Sequence, residues 1–186
     1  MTSRRNVLLG MSAWVSAGLT GCAVGSQPSS DQSRTYCLKN TRTLRTICTP
    51  ERIPSADVEV QAKRFESTPG LLTVYVVRWS WVDSVRPLLL TLDGSTRIGT
   101  LPRSLIRMRL VPGDHTVAFE WDGKTQRHVI HGSAGEVRFL ELTGSSFPTE
   151  PGYEWSDVDP AGARMRARKS RLVADIEHPA LTTRGG

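Results

Sequence analysis

The chain predicts a mainly β fold: an antiparallel β-sandwich of about seven or eight strands, closed by a C-terminal helix. Three observations carry this. Short runs rich in Val, Ile, Leu, Thr and aromatic residues recur between Leu71 and Thr143, several with period-two alternation. Turn signals such as Asp93-Gly94, Pro112-Gly113, Asp122-Gly123 and Gly132 to Gly135 separate them at the roughly eight-to-twelve-residue rhythm of sandwich strands. Asp159-Pro160 then offers an N-cap and a proline at the first helical position before an Ala/Arg-rich stretch.

Taken in order, the chain opens on Arg4 and Arg5 followed by the apolar run Val7 to Leu19, the basic and hydrophobic regions of a secretory leader. The run falls short of the ~20 apolar residues that span a bilayer. It ends in Leu19-Thr20-Gly21-Cys22, which resembles the lipobox of bacterial lipoproteins. The resemblance implies cleavage before Cys22, a diacylglycerol on its thiol and acylation of the freed amine. Two or three acyl chains, at ~0.8 kcal/mol per buried methylene, anchor stably where one would be marginal. Ser3-Arg4-Arg5-Asn6-Val7-Leu8 also resembles a twin-arginine export signal, which would have the domain fold before export and without help from a disulfide. A cleaved, soluble secretory protein with a free Cys22 is the competing reading.

Residues 22–35 hold the lipidated cysteine and a Ser/Gly/Pro tether with almost nothing to bury. Residues 36–69 form an N-terminal extension in which Cys37 and Cys48 close a short loop. In an oxidising compartment a disulfide is the default for that pair, at about 3 kcal/mol in the chain-entropy picture, against two free thiols. Pro50, Pro54 and Pro69 disfavour long helices there, and Asp57 to Phe65 is compatible with a short strand or a helical turn.

Residues 70–178 carry the sandwich and helix. Leu71 to Trp79 is apolar on both faces and reads as a central strand. Leu88 to Leu92 and Arg97 to Leu101 flank the Asp93-Gly94 hairpin signal. Ile106, Met108 and Leu110 point inward while Arg107 and Arg109 point out. Pro112-Gly113 turns into the alternating strand His115 to Trp121. Asp122-Gly123 leads to Thr125 to His131, and Gly132 to Gly135 to the strand Glu136 to Thr143. The helix from Pro160 runs toward Pro179, with Ala161, Met165 and Leu172 on its apolar face, and residues 179–186 form a disordered tail.

Leu71 to about Leu172 resembles an uncharacterised β-sandwich domain of small bacterial lipoproteins. The matching stretches are Tyr75-Val76-Val77-Arg78, Leu92-Asp93-Gly94, Ile98-Gly99-Thr100-Leu101, Val111-Pro112-Gly113-Asp114-His115-Thr116-Val117 and Ala134-Gly135-Glu136-Val137. An extended Tyr153 to Val158 run before the final helix also fits. The Pro-Gly hairpins are similar to those of PEGA-type surface β-domains. The resemblance implies a fold and a location, and no activity.

His115 shares the register of Val117, Phe119 and Trp121 and belongs at the core edge. His128 and His131, three apart on a strand, face opposite ways and cannot chelate a metal together. There is no Gly-x-Ser-x-Gly nucleophile elbow. Glu120, Glu136, Glu141, Asp157 and Asp159 are scattered, so a glycosidase-type pair exists only if the fold builds one. Trp79 and Trp81 share a strand face, as a platform for a glycan or partner or as core filling. Arg164, Arg168 and Arg171, at i, i+4 and i+7, form a cationic stripe for an anionic surface or a solvated outer face. No catalytic set, metal or cofactor is indicated.

Charge narrows the partners. The 24 basic and 18 acidic residues give +6, and the leader holds two arginines and no acid, so the remainder carries +4. A basic exported protein meets anionic lipid headgroups and acidic cell-wall polymers, while its compartment excludes nucleic acid. The expected role is a non-enzymatic scaffold or protein-interaction module of the envelope, held by membrane lipid through acylated Cys22. Ala23 after that cysteine implies the outer membrane, facing the periplasm, where there are two membranes. A glycan- or small-ligand-binding module and a hydrolase with dispersed carboxylates are the alternatives.

Overall fold

In a computed structural model the described residues are 34–40, 43–79, 85–145, 152–156 and 158–177. The leader, Cys22, Trp81, Asp157 and the tail lie outside them. Among the described residues the elements are β1 (Cys37–Lys39), β2 (Thr46–Cys48), α1 (Ala56–Ala62), β3 (Leu72–Arg78), β4 (Leu88–Leu92), β5 (Thr96–Thr100) and β6 (Ser104–Leu110). They continue with β7 (Gly113–Trp121), β8 (Lys124–Gly132), β9 (Val137–Ser145), β10 (Gly152–Ser156), α2 (Pro160–Lys169) and β11 (Arg171–Glu177).

Nine strands form a five-stranded sheet, β10-β9-β3-β6-β11, and a four-stranded sheet, β5-β4-β7-β8. The sandwich is therefore present, with more strands than expected. β3 is central, and all seven of its residues are buried, as its two apolar faces require. Its even face (Leu72, Val74, Val76) meets Ile106, Met108 and Leu110 of β6 and Leu140 and Leu142 of β9. Across the interface stand Leu88, Leu90 and Leu92, Val117 and Phe119, and Ile130.

The odd face of β3 is buried too, because the helices cover it. Tyr75 and Val77 pack with Leu105, Leu172, Ala62, Phe65 and Ala167. Tyr75 donates from Oη to the Ala62 carbonyl at 2.9 Å and stacks on Phe139 at 5.1 Å. Arg107 does point to this second face, as the alternation demands, yet it is buried there beside Asp175 rather than solvated.

Turn chemistry places the hairpins. Asp122 and Gly123 both have positive φ (50° and 69°) between the paired Trp121 and Lys124, the two-residue loop that matches strand twist. Asp93 (φ 48°) and Gly94 (φ 68°) also take positive φ, in a three-residue loop with Ser95 between the paired Leu92 and Thr96 of β4 and β5. Pro112-Gly113 differs: β6 and β7 lie in different sheets, so this turn carries the chain across the sandwich instead of closing a hairpin. The five-stranded sheet is mixed, since β3–β9 and β6–β11 are parallel. Turn signals report only sequence-adjacent pairings, and these two pairs meet through long connections.

The extension packs on the same body. Cys37 and Cys48 are opposite each other in the β1–β2 ladder and disulfide-bonded. Tyr36 donates from Oη to Pro102 O at 2.9 Å, and Ile53 reaches the sandwich core. The open choice over Asp57 to Phe65 resolves as helix, because Ser55 caps it by accepting the Val58 N–H.

The C-terminal helix begins where the sequence puts it: Asp159 caps by accepting the Gly162 N–H at 3.0 Å, with Pro160 in the first turn. Its end and its buried face are corrected. Ala163 and Ala167 are buried, while Met165 is 58% exposed. The helix stops at Lys169, and Leu172 lies on β11, which pairs with the edge of β6. Joining that edge satisfies a row of backbone groups that a longer helix would leave open. A register shift between Leu172 and Ala174 breaks the strand period, which masks it in the sequence.

Candidate functional site

The two sheets differ on their outer faces. The five-stranded sheet is roofed by α1 and α2. The outward residues of β5-β4-β7-β8 instead line a depression of about 550 Å³, among them Leu89, Thr91, Arg97, Ala118, Glu120 and Arg127. Strand alternation makes this face: Leu88, Leu90 and Leu92 go to the core, so Leu89 and Thr91 go out, and Val117 and Phe119 send Ala118 and Glu120 out.

Register orders the face into rows. Arg97 pairs with Thr91, Thr91 with Ala118 and Ala118 with Arg127, so one cross-strand row ends in a guanidinium on each side. Their Cα atoms are about 14 Å apart at ~4.8 Å per strand. Neither arginine makes an ion pair among the described residues. The neighbouring row carries Leu89, and Glu120 opposite Thr125; at its β5 end Gly99 lies against Pro50 and Glu51 of the extension. A cationic row thus runs beside one with carboxylate acceptors. Sequence reading missed this surface: the alternation that fixes it is visible in β7, but the three leucines that open β4 do not mark which of them faces out.

The residues singled out from the sequence go elsewhere. Trp79 is half-buried against the helix-side cluster, with the Arg103 guanidinium 5.9 Å from its ring centroid. Trp121 and Trp155 flank the core, 4.6 Å from Tyr153 and 5.3 Å from Phe119 respectively. Arg164 and Arg168 are exposed on α2, but Arg171 is on β11, where Nη1 meets Glu59 Oε2 at 2.6 Å. The three-arginine stripe does not form, because the helix ends first.

His115 sits at the core edge as expected, with Nδ1 2.7 Å from Asp93 Oδ2 and Nε2 2.8 Å from the Val111 carbonyl. His128 turns toward Trp155, and His131 is exposed beside Asp114 at 2.7 Å. Glu136 accepts from Ser133 N and Arg138, Glu141 is clamped by Arg166, and Asp159 caps α2. Glu120 alone of the described candidates faces the depression.

A polar centre that sequence reading did not single out lies between the sheets. Arg78, 1% exposed, donates from Nη1 to the carbonyls of Arg86 and Thr100, each at 3.0 Å, and from Nη2 to Tyr153 Oη at 2.8 Å. It ties β3, β5 and β10 together.

No family model matches the chain, and no curated protein matches it significantly. What the fold and site define is a β-sandwich roofed on one side and open on the other.

Proposed function

We propose that this is a lipid-anchored protein of the bacterial envelope, a non-enzymatic interaction module that binds its partner through the open face of the four-stranded sheet. The observation that carries the binding role is the contrast between the two outer faces: helices cover one, and the other presents a depression of about 550 Å³, within the size range of ligand sites. The Arg4 to Cys22 leader supports the anchor, Ala23 supports outer-membrane sorting, and the +4 charge of residues 22–186 supports an anionic envelope partner. Of the candidate carboxylates, Glu136, Glu141 and Asp159 are engaged in the fold and Glu120 alone faces the depression, which favours binding over hydrolysis.

Two measurements test this. Cys22→Ser should move the protein from the membrane to the soluble fraction; retention there removes the anchor. A photo-crosslinking residue at Leu89 should form a discrete adduct in intact envelopes, and one at exposed Val60 on α1 should not. Equal labelling at both positions removes the open face as the binding surface.

A further inference from the structure

We propose that the open sheet face recognises an acidic polysaccharide, with Arg97 and Arg127 holding its carboxylates and Glu120 accepting hydrogen bonds from its hydroxyls. This deepens the preceding reading and rests on it. Charge and hydrogen-bonding complementarity select this ligand. Guanidinium groups bind carboxylates by two parallel N–H···O bonds. Two of them, without an ion-pair partner among the described residues, end one row of this face about 14 Å apart, so they fit separate negative groups along an extended chain better than one small anion.

The adjacent row selects the polymer. Its charged groups are acidic, Glu120 on β7 and Glu51 beside Gly99, so a uniformly anionic peptide would be repelled there. A saccharide carries hydroxyl donors on the edge away from its carboxylates and suits a carboxylate acceptor. Thr116 and Thr125 on the same face add hydroxyls that exchange with those of a sugar, and Leu89 offers apolar contact for ring C–H groups. The chain's terminal segments are poor occupants: residues 1–33 and 178–186 contain a single acidic side chain, Asp31.

Tetragalacturonate titrated at low ionic strength into the full-length protein tests the proposal, with the amide shifts of Thr91, Thr116 and Ala118 as the readout. Binding should weaken with salt and fall roughly fivefold in each of Arg97→Gln and Arg127→Gln. The methyl-esterified tetramer should bind more weakly and ignore both changes, whereas Glu120→Ala should weaken both saccharides. Equal affinity for the ester would remove the carboxylate clamp. Hexaglutamate binding as tightly as tetragalacturonate, and gaining affinity in Glu120→Ala, would replace the polysaccharide with a peptide. Absence of any shift up to about 1 mM tetragalacturonate overturns the ligand class. If the Leu89 adduct still forms in that last case, the binding face stands and only its ligand is wrong.

Discussion

Arg107 and Asp175 face each other across the parallel β6–β11 pair, with Nε and Nη2 donating to the two carboxylate oxygens at 2.8 and 2.7 Å. The hydrogen bond to Asp175 raises Arg107 above the ordinary arginine range, in spite of its burial. Both side chains are nearly inaccessible, so removing one partner strands a charge. Asp175→Ala should cost about 3 kcal/mol in urea unfolding, and a second change, Arg107→Met, should recover part of that loss. Loss below about 1 kcal/mol would mean that Arg109, 3.4 Å from the same carboxylate, is not left uncompensated either.

Arg166 holds α2 to β9 in the same manner, donating from Nη1 to Glu141 at 2.6 and 2.5 Å. The glutamate is buried and the arginine about one-third exposed. Arg166→Ala should therefore destabilise by about 3 kcal/mol, while Glu141→Gln, which leaves an exposed-side cation able to reach water, should cost less. Reversal of that order in thermal unfolding would show that the arginine carries the buried charge.

Much of the sandwich was legible because its strands obey local rules. The period-two pattern of β6 and β7 set their inward faces, and Asp93-Gly94 and Asp122-Gly123 set two hairpins. Other features depended on distant partners. Nothing near Arg171 announces that β6 has an open edge for it to join, and the bulge at Val173 removes the alternation that would have signalled a strand. Ala163 and Ala167 were passed over for Met165 because a helix lying close to a sheet buries its small residues, whereas hydropathy favours the large one. The open face was hidden for another reason: Arg97 and Arg127 are 30 positions apart and become one row only through the register of three strand pairs.

Alkaline titration should expose the helix-side core. Burial raises the Tyr75 phenol above its ordinary value, with the Arg107 guanidinium opposing. Burial raises Tyr36 as well. Each folded-state phenol holds its proton longer than the unfolded one, so its stability contribution is intact below about pH 10 and is lost as pH rises through the folded-state value. Each group contributes a slope of up to about 1.4 kcal/mol per pH unit in that window. Urea midpoints should be flat in these groups to about pH 10 and then fall, and Tyr75→Phe should make the fall shallower. An unchanged slope in Tyr75→Phe would assign the loss to other groups.

Gly132 tests how closely β8 approaches the central strand. A Cβ there would stand 2.3 Å from Leu72 Cδ1, and Leu72 is fully buried. Gly132→Ala should cost about 1–3 kcal/mol through overpacking, and Leu72→Ala in the same chain should relieve part of it. Simple addition of the two losses would show that the side chains do not meet.

Arg78 offers the sharpest test of what the polar centre does. Its guanidinium donates to the Arg86 carbonyl, the Thr100 carbonyl and hydroxyl, and the Tyr153 hydroxyl. Arg78→Met matches the length of the stem but leaves these acceptors without donors in a site closed to water, and should cost about 3 kcal/mol or more. Arg78→Lys keeps the charge yet cannot present two nitrogens in a fixed plane, so it should recover only part of the loss. Because Tyr153 Oη joins β10 to this centre, hydrogen exchange at Glu154 and Trp155 should rise in both variants more than at β7. Uniform acceleration across both sheets would instead mark Arg78 as a contributor to global stability with no special hold on β10.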